Sequence, residues 1–186
     1  MVGEDIVCDA VEGRFLHEPS VAALHTAARQ AEFEGIHAVF LTDGPLGDAM
    51  VLAAGLSGWT TELLLGVRTG VGQSTRRHPT LLAREMTTLD LISGGRALLS
   101  FTPPFTAATV EAMALCRQMW RDGFASSEGP LFPVPGAVNR PRPDTVNGPP
   151  IALDLTDGSD VPPGWVTLAD FLLMPHGPDR CLLQPT

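Results

Sequence analysis

Residues 78–101 read His78-Pro79-Thr80-Leu81-Leu82-Ala83-Arg84-Glu85-Met86-Thr87-Thr88-Leu89-Asp90-Leu91-Ile92-Ser93-Gly94-Gly95-Arg96-Ala97-Leu98-Leu99-Ser100-Phe101, the punctuation of one helix followed by one strand. Pro79 suits a first helical turn, where the N–H it lacks would have no partner anyway. Leu82, Met86 and Leu89 recur at helical spacing and make one apolar face. Gly94-Gly95 ends the helix, and Arg96 to Phe101 follow as a short apolar strand.

The same alternation extends outward from this unit. Upstream, Glu4 to Val11 is expected as a first strand. Pro19-Ser20 opens a helix carrying Val21, Leu24, Ala28 and Ala31, and Gly35 stops it. Ile36 to Thr42 is expected as a second strand, Asp48 to Leu56 as a second helix and Thr61 to Val67 as a third strand, with Arg68 to Arg77 as a loop. Downstream, Thr106 to Trp120 is a fourth helix. Apolar strands alternating with amphipathic helices imply a parallel sheet covered by helices, wound in one direction by right-handed crossovers.

Beyond the fourth helix the composition changes. Ser126 to Pro150 holds seven prolines and is expected to form a functional loop or lid. Ile151 to Leu155 and Phe171 to Met174 are a fifth and a sixth strand, with Pro162-Pro163-Gly164 too broken between them for a full helix. An eight-stranded barrel takes ~250 residues; this chain has 186. The predicted fold class is therefore α/β, an incomplete TIM-type (β/α) barrel of about six parallel strands with covering helices, forming one domain over residues 1–186. Pro178 and Pro185 limit the ladder that the last residues could add, so an unpaired sheet edge is expected. That edge predicts a homodimer or a complex with a related chain.

Composition narrows the chemistry. Hydrophobic residues are 44% and charged residues 18% of the chain, and the formal net charge is -9. Such a surface repels a phosphate backbone, and the arginines cluster only at Arg76-Arg77, so nucleic acid is not an expected partner. No apolar run reaches the roughly 18 residues of a membrane helix, and the first residues are acidic, so a cytoplasmic protein is expected. All twelve basic residues are arginine, and tyrosine is absent. Mechanisms that need a Schiff-base lysine, a P-loop lysine or a tyrosine acid are excluded. Cys8, Cys116 and Cys181 are too widely spaced to argue for a disulfide framework or a metal site.

Several segments resemble one family. Ala31-Glu32-Phe33-Glu34-Gly35-Ile36 with Phe40-Leu41-Thr42-Asp43, then Thr61 to Val67, resemble the luciferase-like flavin and F420 oxidoreductases. The similarity is strongest in His78-Pro79, Leu82-Ala83-Arg84-Glu85, Thr88-Leu89-Asp90 and Ile92-Ser93-Gly94-Gly95-Arg96. Trp120, Glu128-Gly129 and Pro149-Pro150-Ile151 follow in the family's order. The resemblance implies a barrel with FMN or F420 across the C-terminal strand ends, and monooxygenation or hydride transfer on a small organic substrate. It equally admits a degenerate, non-catalytic member that binds a flavin-like ligand, or no cofactor, and serves as a subunit.

In such a barrel the chemistry sits where strands end. Those ends supply Thr42 and Asp43, Arg68 and Thr69, Ser100 and Thr102, Asp154 and Thr156, and Met174 and His176. By resemblance, Asp43 matches an aspartate that many F420 enzymes follow with histidine; here Gly44 follows, and Asp43-Gly44-Pro45 is also an ordinary turn that can cap a helix. Arg68-Thr69-Gly70-Val71 resembles the segment against which the cofactor ring packs. Arg76 precedes a helix N-terminus, where charge and dipole could meet a phosphate. The expected cofactor contacts are thus Asp43, Thr69, Gly70, Val71 and Arg76. His176 is the expected acid–base, with His17 as a second imidazole.

Overall fold

Each helix starts and stops where the sequence supplies a cap. In α1 (Val21–Phe33) the Ser20 hydroxyl accepts the Ala23 N–H at 3.2 Å. In α2 (Ala49–Ser57) the Asp48 carboxylate accepts from Met50 and Val51. α3 (Pro79–Ser93) begins on Pro79 and ends on Gly94 at φ 69°. α4 (Ala107–Asp122) ends on Gly123 at φ 71°. Both glycines are left-handed, which a side chain would resist.

The computed structural model describes residues 10–70, 77–162 and 164–186. Between the helices run β1 (Val11–Phe15), β2 (Ala38–Thr42), β3 (Leu64–Thr69) and β4 (Ala97–Phe101), followed by the hairpin β5 (Phe124–Ser127) and β6 (Val134–Val138), then β7 (Ile151–Asp154), β8 (Phe171–Pro175) and β9 (Arg180–Pro185). Six strands are parallel in the order β1-β2-β3-β4-β7-β8, as the sequence predicts, and α1 to α4 cover the first four.

The sheet edge is not open. β9 runs antiparallel to both β8 and β1 and closes a seven-stranded barrel. Pro178 lies in the preceding turn and Pro185 is the strand's last residue, so neither removes a central ladder bond. Cys181 and Leu183 are buried inside, while Arg180 and Gln184 are exposed. On β1, Gly13 faces in while Glu12 and Arg14 pair with Arg180 and Glu34. This alternation belongs to an antiparallel seam with one face in water. The unpaired edge that suggested a second copy is therefore absent from the described residues.

β1 also lies later than expected. Glu12 and Arg14 interrupt the apolar reading, yet they point away from the lumen and are ion-paired. Residues 4–9 of the expected strand lie outside the described residues.

Seven strands enclose a narrower lumen than eight. One ring fills its middle: a Cβ on Gly66 would stand 2.3 Å from Phe40 Cδ1, and one on Gly13 2.8 Å from Phe40 Cε2. Leu98, Ala152, Leu173, Cys181 and Leu183 complete this inner cluster. The alternate residues Val39, Leu41, Leu65, Val67 and Leu99 pack outward into the larger core beneath the helices.

The proline-rich stretch does not cover the barrel mouth. It holds the hairpin along α3 and α4, where Glu111 accepts the N–H groups of Leu131 and Phe132 and the buried Asn139 amide donates to Thr87 Oγ1 at 2.9 Å. Asp90, fully buried, accepts both the amide and the hydroxyl of Thr145 at 2.8 Å. Arg96 donates to Ser93, Thr60, Leu63 and Ser57, joining the ends of α2 and α3. The most specific part of the sequence resemblance is thus scaffold.

Candidate functional site

At the C-terminal mouth, between the ends of β1 and β2, lies a cavity of about 610 Å³. Leu16, Leu24, Leu41, Leu46 and Leu52 form its apolar wall, and His17, Glu18, Thr42, Asp43 and Arg68 carry its polar groups. Its volume falls in the range of small-molecule sites.

Arg68 is the most constrained of these groups. Leu64, Gly66 and Arg68 alternate toward the lumen along β3, so the guanidinium rises through the top layer of the barrel. Nε donates to Asp154 Oδ2 at 2.7 Å, Nη2 lies 2.5 Å from the same oxygen, and Nη1 donates to Thr42 Oγ1 at 3.2 Å. The guanidinium carbon sits 4.5 Å from the centroid of the Phe15 ring. Asp154, only 1% exposed, also accepts the Thr156 amide at 3.0 Å and its hydroxyl at 2.6 Å. Ser100, level with Arg68 on β4, is fully buried, and its hydroxyl has no partner among the described residues.

A second cluster sits at the rim. Asp43 Oδ1 accepts the Ala49 N–H at 2.8 Å, so this carboxylate does cap α2, while it also borders the cavity. Arg77 meets Asp43 at 3.3 Å, Asp48, and Glu85 at 2.9 Å. Burial pushes the Glu85 carboxyl above its usual range; Arg77 opposes this, and Asp48 and Asp43 add to it. Three carboxylates around one guanidinium leave no net positive charge for a phosphate.

The other expected contacts fare differently. Thr69 closes the β3–β4 junction: its carbonyl accepts the Thr102 N–H at 2.9 Å, and its hydroxyl donates to the Gly70 carbonyl at 3.3 Å. Neither Thr69 nor Gly70 lines the mouth cavity. Val71 and Arg76 lie outside the described residues. His176 is exposed in the β8–β9 turn, its amide donating to the Arg180 carbonyl at 3.1 Å, and it is not on the cavity wall. The imidazole on that wall is His17. The two-residue alternation of Leu64, Gly66 and Arg68 was the signal for Arg68, once Gly66 is read as facing the lumen.

A second cavity, about 470 Å³ and mostly apolar, opens at the opposite end between Val11, Ile36, Leu64 and Phe171. Burial pushes the Cys116 and Cys181 thiols up to about 12, so neither is a nucleophile near neutral pH. Among the described residues no three His, Cys, Asp or Glu side chains are grouped to hold a metal, and no helix is long and apolar enough to cross a membrane.

The family profile described as luciferase-like monooxygenase matches residues 6–102. No curated protein matches the chain. Among solved structures, the coenzyme F420-dependent tetrahydromethanopterin reductase of Methanopyrus kandleri is 17% identical with a TM-score of 0.71, over 89% of this chain and 55% of its own. The monooxygenase RslO1 of Streptomyces bottropensis is 20% identical with a TM-score of 0.63, over 72% of this chain and 47% of its own. The oxygenating constituent of 3,6-diketocamphane monooxygenase from Pseudomonas putida, solved with FMN, is 14% identical with a TM-score of 0.58, over 78% and 51%. At these identities the likeness is one of fold, and the chain spans about half the length of the structures it matches.

Proposed function

Because the chain belongs to the luciferase-like monooxygenase family, we propose that it is an oxidoreductase-class protein taking FMN or F420 at the mouth of its barrel, with a small organic substrate beside it. The observation that carries this reading is the cavity of about 610 Å³ at the C-terminal strand ends, with the Arg68 guanidinium on its wall. Relatives of the same fold are an F420-dependent reductase and a monooxygenase solved with FMN.

The ring of such a cofactor fits the site, which offers apolar walls, an arginine and a threonine. The phosphate does not fit Arg77, whose charge is taken up by Asp43, Asp48 and Glu85. When bound, the cofactor supplies hydride transfer or oxygen activation. The chain's own residues do the rest. Leu16, Leu41 and Leu46 exclude water from one side. Arg68, held by Asp154 and Thr42, orients an acceptor oxygen. His17 is placed to hold or move a proton. Asp43, at the rim, is a proposed contact.

Equilibrium titration with FMN and F420, followed by absorbance and fluorescence, tests this reading. Micromolar binding of one of them is expected, and it should be lost when Thr42→Trp fills the cavity. Absence of binding of either at ~100 μM refutes the proposal, since millimolar affinity amounts to only about -4 kcal/mol. Stoichiometric binding without turnover of any substrate would assign the chain a ligand-holding role instead.

A further inference from the structure

Arg68 is a puzzle on stability grounds. A buried arginine–aspartate pair seldom stabilises a fold more than apolar residues of similar volume would, because both ions lose their hydration. Yet the lumen of this barrel, apolar through its middle layer, carries such a pair in its top layer, with Asp154 1% exposed. The pair is also heavily supported. Asp154 spends its second oxygen on Thr156, and Thr42 and Phe15 fix the guanidinium from two more sides.

The donor count indicates what the support is for. A guanidinium has five N–H groups. Asp154 engages one on Nε and one on Nη2, and Thr42 engages one on Nη1. One N–H on each terminal nitrogen is left without a partner among the described residues, and the side chain lines the mouth cavity. The Arg68 side chain is 19% exposed and lines the cavity, so water reaches the guanidinium from that side and a ligand oxygen can replace it as acceptor.

We propose that Arg68 is the ligand-anchoring residue of the mouth cavity, taking the carbonyl-bearing edge of a planar heterocycle, with Asp154, Thr42 and Phe15 as positioning residues. Asp154 balances the charge, so a neutral ring is accepted as readily as an anion, and the N–H left on each terminal nitrogen can donate to a carbonyl oxygen. Apolar walls on the β1–β2 side take the face of the ring. This rests on the proposed function for the identity of the ring, but its geometry does not need the phosphate tail.

The test uses two probes, FMN and lumichrome, which share the carbonyl-bearing ring edge and differ in the phosphate-bearing chain. Calorimetry compares the wild type with Arg68→Met/Asp154→Leu, an apolar pair of similar volume, and with Arg68→Lys, which keeps the charge and loses the fork. Wild type should bind lumichrome, Arg68→Lys should bind it at least about tenfold more weakly, and the double variant should lose binding. The double variant should keep the wild-type unfolding midpoint or exceed it, which a structural role for the pair would not allow. If the wild type binds FMN and both variants bind it equally well, the Arg68 assignment is wrong and the cofactor reading survives. If lumichrome binds through Arg68 but neither FMN nor F420 does, the assignment stands and the cofactor reading falls. Absence of lumichrome binding overturns the assignment, and absence of FMN and F420 binding as well overturns both.

Discussion

Gly66→Ala tests the packing on which the closed barrel depends. Gly66 has ordinary strand backbone, so the obstacle to a side chain is the Phe40 ring alone. An added methyl would stand 2.3, 2.5 and 3.0 Å from three of its ring carbons. Phe40 is 1% exposed and has Phe15 above it, the ring centroids 5.7 Å apart, so it cannot move outward freely. Overpacking of this kind costs ~1–3 kcal/mol. Replacing glycine by alanine within a strand returns ~0.5–1 kcal/mol of backbone entropy. The 2.3 Å approach to a ring that cannot move outward sets the cost at the upper end of that range, so the net destabilisation is about 2 kcal/mol, which lowers the unfolding midpoint of a chain this size by roughly 4–8 °C. Urea and thermal unfolding of Gly66→Ala, Phe40→Leu and the double variant form a cycle. The double variant should be more stable than the sum of the single changes predicts, by ~1 kcal/mol. A Gly66→Ala protein as stable as the wild type, or a strictly additive cycle, would refute the packing.

The seam formed by β9 makes a prediction by parity. Leu183→Asp places a carboxylate in the lumen and should cost more than ~3 kcal/mol, whereas Gln184→Asp, one residue on and facing outward, should stay within ~0.5 kcal/mol; equal effects in urea unfolding would contradict the inward and outward assignment. Glu32 gives a pH signature. Burial raises its pKa, but the amides of Glu62, Thr61 and Leu63 outweigh this and hold it below the usual 4.5. Its contribution to stability is complete above pH 4.5 and is lost as pH falls through the lower folded value. Glu32→Gln should therefore flatten the fall in stability below pH 4.5, and an unchanged acid limb would show that these amides do not hold the carboxylate.

The sequence made the first four strand–helix units legible because their signals are local. Pro79, Gly94 and the apolar spacing of α3 act within one element, and the same holds for Ser20 and Asp48. β9 was not legible. Its two flanking prolines read as breakers, and only its pairing with β1 and β8 shows that they stand at its ends. The hairpin β5–β6 was hidden for a related reason: Pro135 lies within β6 itself, at an exposed position of a two-stranded sheet, where a proline is tolerated although it reads as a breaker. At the candidate site, Asp43 was legible as a strand-end residue because it follows β2 directly, and it borders the cavity. Arg68 appeared only as one strand end among several. What distinguishes it is a partner 86 residues away, Asp154, brought close by barrel closure. For His176 the strand end was legible and the turn was not: its strand ends at the mouth, and a tight turn into β9 leaves the residue exposed and off the cavity wall.

The central claim is that the ligand chemistry of this chain lies at the C-terminal mouth. The most direct measurement is chemical-shift mapping of the isotope-labelled protein during titration with FMN. Perturbations should concentrate on Leu16 to Glu18, Thr42 to Leu46 and the Arg68 side chain. Perturbations centred instead on Val11, Ile36, Leu64 and Phe171, which line the cavity at the opposite end, or no perturbation at saturating FMN, would contradict the claim.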